Sequence, residues 1–189
     1  MIVILTGGIG CGKSSVALML TEFGARRVDA DEIVHGLYER AEVQDLVGRA
    51  VGLQAPLTRA DVARRVFGDD AVLRRLEAVL HPMVWERMTE LRRATAPDEV
   101  LVFEIPLPPT PEYGDVVICV EADEGVRVSR LRERGMQDAD IYARIAAAPG
   151  PLAYREHAQH VISNNGDLES LRRQVQRLWK DVQDGARTV

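Results

Sequence analysis

Cysteine is almost missing from this chain: Cys11 and Cys119 are the only two in 189 residues. They form no C-x-x-C pair, which excludes a zinc ribbon or a secreted disulfide framework and points to a reduced, intracellular setting. Long apolar runs are missing too. The N-terminal run MIVIL has no basic flank and leads into glycines, so it suits neither a signal peptide nor a membrane span. The expectation is a cytoplasmic protein with no membrane partner. A third absence is excess positive charge. With a net charge of −5 and a pI near 5.4, the chain lacks the basic stripe of a general nucleic-acid binder. Any positive partners of a phosphorylated ligand must therefore be local, and RVSRLRER (127–134) and RRQVQR (172–177) are the two candidates.

The length suits one domain, or one domain carrying an inserted subdomain, with a substantial core. MIVIL reads as a buried strand, 13–23 as a helix closed by Gly24, and ARRVDA as a second strand. Strand, helix and strand in about thirty residues make a βαβ unit, which favours a parallel sheet. From 32 to 96 the pattern is helical throughout. Thr58-x-x-Asp61 resembles a capping box, Asp70 an N-cap, and Pro82 the first turn of a separate helix. Strands resume at VLVFEI (100–105) and DVVICVEA (115–122), joined by PLPPTPEYGD, and both are continuous apolar runs. Helices are expected at 124–134 and 138–147, a last strand at HVIS, and a closing amphipathic helix with Leu168, Leu171, Val175, Leu178 and Val182 on one stripe. No internal repeat or low-complexity segment is present.

The chemistry begins at GGIGCGKSS, residues 7–15. Gly7 and Gly12-Lys13-Ser14 satisfy G-x-x-x-x-G-K-[ST] between a strand and a helix, the context that this motif requires. Gly8, Gly10, Cys11, Gly12, Lys13, Ser14 and Ser15 are the expected nucleotide contacts. Glycines let backbone N–H groups wrap a phosphate, Lys13 sets a mobile charge against the β and γ oxygens, and the Ser14 hydroxyl can ligate Mg²⁺. Cys11 reads as a small residue that fits the loop.

A phosphate loop does not distinguish a kinase from a GTPase or a sensor, so the acceptor side decides. VDADEI places Asp29 and Asp31 at the end of the second strand. A D-x-D before a helix is often a cap, but ligands bind at the carboxyl ends of parallel strands. Phosphorylating an alcohol needs a carboxylate to orient the hydroxyl and take its proton, and Asp31 is the candidate. Glu104, ending VLVFE, is either an ordinary strand-end acid or a Mg²⁺ ligand. Arg127, Arg130 and Arg134 share one helix face and could form a lid that closes over phosphates, with Arg130 and Arg134 favoured.

Taken in order, LTGGIGCGKSSVA, VDADEI, RRVFGDDAVLRRLEAVLHPMV, EIP, SRLRERGMQ and HVISNNG resemble the dephospho-coenzyme A kinase family over nearly the whole chain. The resemblance implies a three-layer α/β P-loop fold with a parallel sheet. Its core would be 1–31, 96–125 and 151–189, with a helical coenzyme A-binding insertion at 32–95 and a lid at 126–150. It implies ATP and Mg²⁺ as cofactors and dephospho-coenzyme A as the small-molecule substrate. The γ-phosphate would pass to the ribose 3′-hydroxyl, with Asp31 as general base and Asn164 near the adenine, in the last step of coenzyme A biosynthesis. His81, in Leu80-His81-Pro82, matches a motif of the coenzyme A domain, though it also reads simply as a helix-end residue. The chain departs from the family pattern at Glu104, where aspartate is commoner, at Pro108-Pro109-Thr110, in a short 31–57 segment, and at AAAPGP. Two other readings are a P-loop kinase acting on a nucleoside monophosphate or sugar acid, and a nucleotide sensor without catalysis.

Overall fold

The computed structural model describes residues 1–96, 98–108 and 114–186. The chain divides into two compact units, one formed by Met1–Asp29 with Thr95–Val189 and the other by Ala30–Ala94.

The first unit is built on a five-stranded parallel sheet. Its strands are β1 (Ile2–Thr6), β2 (Arg26–Asp29), β3 (Leu101–Glu104), β4 (Val116–Glu121) and β5 (His160–Ser163), in the order β2-β3-β1-β4-β5. Central β1 pairs with β3 on one side and β4 on the other. Every residue of β1 is buried, as a strand covered on both faces requires. Period-two alternation sends Val3 and Leu5, with Val102, Ile118, Val120 and Ile162, into the core formed with helices α1 (Lys13–Glu22) and α9 (Leu168–Ala186). α1 contributes Val16, Ala17 and Leu20, and α9 contributes Leu171, Val175, Leu178 and Val182. Full burial of each of the valine, leucine and isoleucine side chains is worth about 1.5–3 kcal/mol.

Leu168, expected on that stripe, is instead 70 % exposed. It is the first residue of α9, and its Cβ tilts toward the helix N-terminus, off the end of the packed face. Between β4 and β5 lie α6 (Glu124–Glu133), α7 (Asp138–Ala147) and α8 (Pro151–Arg155). Helix α8 is an element that the sequence pattern did not suggest. Pro151 occupies its first turn, where a missing N–H costs nothing. The expected loop between β3 and β4 falls partly on residues 109–113, which lie outside the described residues, as do Pro109 and Thr110 of the family departures.

The second unit is helical: α2 (Ala30–Tyr38), α3 (Ala41–Val51), α4 (Arg59–Val66) and α5 (Asp70–Ala94). The Thr58–Asp61 capping box is formed at the start of α4, with both reciprocal bonds at 3.1 Å. The cap of α5 is Asp69 rather than Asp70, since Asp69 Oδ1 accepts from Val72 N at 3.1 Å. No new helix begins at Pro82, because α5 runs through it. Leu76, Leu80, Val84 and Met88 keep one stripe buried across the proline. The Ala78 carbonyl, which loses its donor there, belongs to an exposed residue that water can reach.

Candidate active site

β1 ends at Thr6 and α1 begins at Lys13, so the phosphate-loop motif lies between strand and helix. The loop needs glycine for two reasons. Gly7, Gly10 and Gly12 have φ of +143°, +78° and +94°, values that side chains disfavour. A Cβ on Gly7 would also stand 2.2 Å from the Val120 carbonyl oxygen, and one on Gly12 would stand 2.2 Å from Asn164 Nδ2. Lys13 folds back so that Nζ donates to the Gly7 and Gly8 carbonyls at 2.8 and 3.2 Å. The result is a tight ring of backbone at the start of a helix, with an ammonium beside it, which is the geometry of an anion cradle.

A carboxylate group lies next to this ring. The β2–β3 register sets Asp29 opposite Glu104, both at the carboxyl end of the sheet. Glu104 is 8 % exposed. Its Oε1 accepts from Ser14 Oγ at 2.6 Å, while Oε2 accepts from Arg27 Nε at 3.1 Å and Nη2 at 2.9 Å. Arg27 Nη2 also donates to Asp29 Oδ2 at 2.8 Å. Asp31 is not on the strand, which ends at Asp29; it sits in the first turn of α2, two residues further along the chain.

On the other side of the loop, helix α6 supplies two arginines. Arg127 Nε donates to the Ile9 carbonyl at 2.8 Å. Arg130 Nη2 donates to Asn164 Oδ1 at 3.2 Å. Asn164, 4 % exposed, closes the arrangement by donating from Nδ2 to the Cys11 carbonyl at 2.9 Å. Arg130 Nη1 is buried and has no hydrogen-bond partner among the described residues. It lies 3.8 Å from where a Cβ on Gly12 would stand. Arg134 is exposed at the C-cap of α6. The i, i+3 pair that meets the loop is therefore Arg127 and Arg130. Arg127 shares the helix face of the favoured arginines, and that spacing was the signal that could have singled it out.

A cleft of about 140 Å³ beside the loop is lined by Gly7, Gly8, Cys119, Glu121, Arg127 and Tyr154, among others. Burial, and then the Glu121 carboxylate, push the Cys119 thiol up to about 12. Cys11 is buried in the loop. His81 lies half-buried in α5 of the helical unit. Among the described residues no three His, Cys, Asp or Glu side chains converge as a metal cage. The Ser14 hydroxyl and the Glu104 and Asp29 carboxylates are hard oxygen donors of the kind that suit Mg²⁺, which is commonly held by one or two protein groups together with phosphates.

A parallel sheet, a glycine loop opening a helix, and arginines closing on that loop define a P-loop kinase. The same fold appears in solved structures of a Campylobacter jejuni dephospho-CoA kinase (19 % identity, TM-score 0.61, covering 96 % of each chain) and a Bacteroides thetaiotaomicron shikimate kinase (15 % identity, TM-score 0.61, covering 97 % of this chain and 98 % of that one). A Thermus thermophilus structure is 34 % identical with a TM-score of 0.78, covering 96 % of this chain and 97 % of the other. Residues 1–170 match the family model described as Dephospho-CoA kinase, and the chain belongs to that family. Similar curated relatives, each named Dephospho-CoA kinase, come from Streptomyces avermitilis (37 % identity, 94 % of this chain and 92 % of the relative) and Thermobifida fusca (34 % identity, 95 % and 94 %). It is thus an ATP-dependent phosphotransferase that acts on an alcohol.

Proposed function

We propose that this chain transfers the γ-phosphoryl group of Mg·ATP to the ribose 3′-hydroxyl of dephospho-coenzyme A, releasing coenzyme A and ADP as the last step of coenzyme A biosynthesis in the cytoplasm. One observation carries the reading: the buried Arg130 Nη1 beside Gly12, a cationic donor with no partner among the described residues. A buried guanidinium nitrogen left unpaired is costly unless an anion completes it, and phosphate in the adjoining loop would do so.

In this reading the N–H groups of residues 8–15 hold the β-phosphate and Lys13 turns from the Gly7 and Gly8 carbonyls to the γ-phosphate. Ser14 and Glu104 would hold Mg²⁺, which when bound offsets charge on the β and γ oxygens. Arg130, with Arg127 and Arg134 from the same helix, neutralises charge that builds on the transferred group. Asp31 orients the acceptor hydroxyl and accepts its proton. Asn164, fixed between Cys11 and Arg130, supports the nucleotide side. The helical unit, including His81, binds the coenzyme A portion. Among the described residues no helix is long and apolar enough to cross a membrane.

The test is ADP release from Mg·ATP with dephospho-coenzyme A, AMP, gluconate or no acceptor. Turnover with dephospho-coenzyme A alone, and a product heavier by one phosphoryl group, supports the reading. Turnover with AMP or gluconate would assign a different acceptor, and ATP binding without any turnover would make the protein a sensor.

A further inference from the structure

We infer that Arg27 is a positioning residue for the metal–nucleotide complex, acting through Glu104. This inference rests on the reading that Ser14 and Glu104 hold Mg²⁺, and it concerns what keeps that pair aligned.

The geometry begins with strand register. Arg27 is opposite Val102 and Asp29 is opposite Glu104, so Arg27, Asp29 and Glu104 share one face of the sheet at its carboxyl end. Two carboxylates side by side repel, and one of them is buried. Arg27 lies between them, with Nη2 at 2.8 Å from Asp29 Oδ2 and 2.9 Å from Glu104 Oε2. Its Nε adds a second bond to the same Oε2 at 3.1 Å. Arg27 is thus bonded to one oxygen of Glu104 while Ser14 Oγ donates to the other at 2.6 Å.

Those bonds divide the duties of the carboxylate. A glutamate has three side-chain torsions, and a buried one without a partner at Oε2 would be at liberty to rotate Oε1 off the serine. Two donors from one rigid, planar guanidinium remove that freedom. The serine hydroxyl then donates its hydrogen bond to Glu104 Oε1, which leaves the serine oxygen's lone pairs available to a cation. A lysine at this position would supply charge as a mobile point but not the fork. The side chain of Arg27 is 27 % exposed and that of Glu104 is 10 % exposed, so the pair is sheltered enough for its geometry to persist in salt.

The experiment measures ADP binding by calorimetry with and without Mg²⁺, and the Mg²⁺ concentration giving half-maximal turnover, for wild type, R27K, R27M, E104Q and R27M/E104Q. Thermal melts confirm that each variant is folded, and R27K, which retains the charge, covers the case in which R27M does not fold. Arg27→Met is expected to weaken Mg·ADP by about tenfold, raise the Mg²⁺ requirement by a similar factor, and leave metal-free ADP affinity within about twofold. Arg27→Lys is expected to fall between wild type and Arg27→Met. If Arg27 acts through Glu104, adding R27M to E104Q changes little, because the carboxylate that Arg27 aligns is already gone. Equal weakening of ADP with and without metal, tighter Mg·ADP binding in R27M, or additive effects in the double variant would each overturn the inference. If E104Q itself leaves Mg·ADP affinity unchanged, the metal reading of Glu104 fails; if E104Q weakens it and R27M does not, the inference about Arg27 fails alone.

Discussion

Ser14 Oγ donates to Glu104 Oε1 across 2.6 Å, so the second residue of α1 is tied to the last residue of β3 although 90 positions separate them in the chain. This bond is where the phosphate loop meets the carboxylates, and it sets a phosphate-binding helix start against a buried acid.

Lys13 holds two loop carbonyls, contacts that in the proposed reaction it exchanges for phosphate oxygens. Lys13→Met is expected to lower kcat/KM by at least about 10²-fold, as for loss of one charged transition-state contact. Steady-state kinetics with Mg·ATP check this, and a fall of less than fivefold would remove Lys13 from the chemistry.

Asp31→Asn retains size and hydrogen-bonding capacity but cannot accept the acceptor's proton. Turnover should fall about 10²–10⁴-fold while Mg·ATP binding, followed by calorimetry, stays within about twofold. Parallel losses in both would instead make Asp31 a binding residue.

Gly7→Ala places a methyl group where the Val120 carbonyl oxygen is 2.2 Å away, at a φ of +143°. The carbonyl is strand backbone and cannot move aside as a flexible side chain could. A stability loss of about 1–3 kcal/mol, measured by urea denaturation with an unchanged slope, is the expected result.

Burial, and next the Glu121 charge, disfavour the Cys119 thiolate and push the thiol up from its ordinary 9.0 to about 12. The folded pKa lies above the unfolded one, so the stability linked to the neutral thiol is complete below about pH 9 and is lost as pH rises from 9 toward 12. Cys119→Ala should therefore flatten the alkaline limb of the stability–pH curve in that window. In the native wild type at pH 8, iodoacetamide should leave Cys119 unlabelled; labelling before unfolding would contradict the assignment.

The phosphate loop, the βαβ start and the closing helix were legible because each is local: a motif between strand and helix, a period, a cap. The resemblance set Asn164 near the adenine, but nothing within HVISNNG shows that its amide reaches Cys11. Arg27 gave no signal at all. In ARRVDA it is one of two arginines, and only the pairing of β2 with β3 reveals that it, and not Arg26, faces Glu104; Arg26 pairs with Glu99 at 2.7 Å. Pro82 misled for the opposite reason. A local helix-breaking rule was outweighed by a stripe of buried residues on both sides of it. Leu168 misled because a periodic pattern does not say where the packed surface stops.

The amide of Asn164 reaches back 153 positions to the Cys11 carbonyl, and β1 pairs with strands that begin near residues 101 and 116. During synthesis the glycine loop therefore leaves the ribosome long before the parts that shape it. Until β3, β4 and β5 have emerged and docked, residues 7–12 have neither the Val120 carbonyl above them nor the amide beside them. The nucleotide-binding loop is among the first segments made and among the last to acquire its form. A nascent chain arrested before β5 is therefore expected to hold the whole phosphate-binding motif in sequence and none of its affinity.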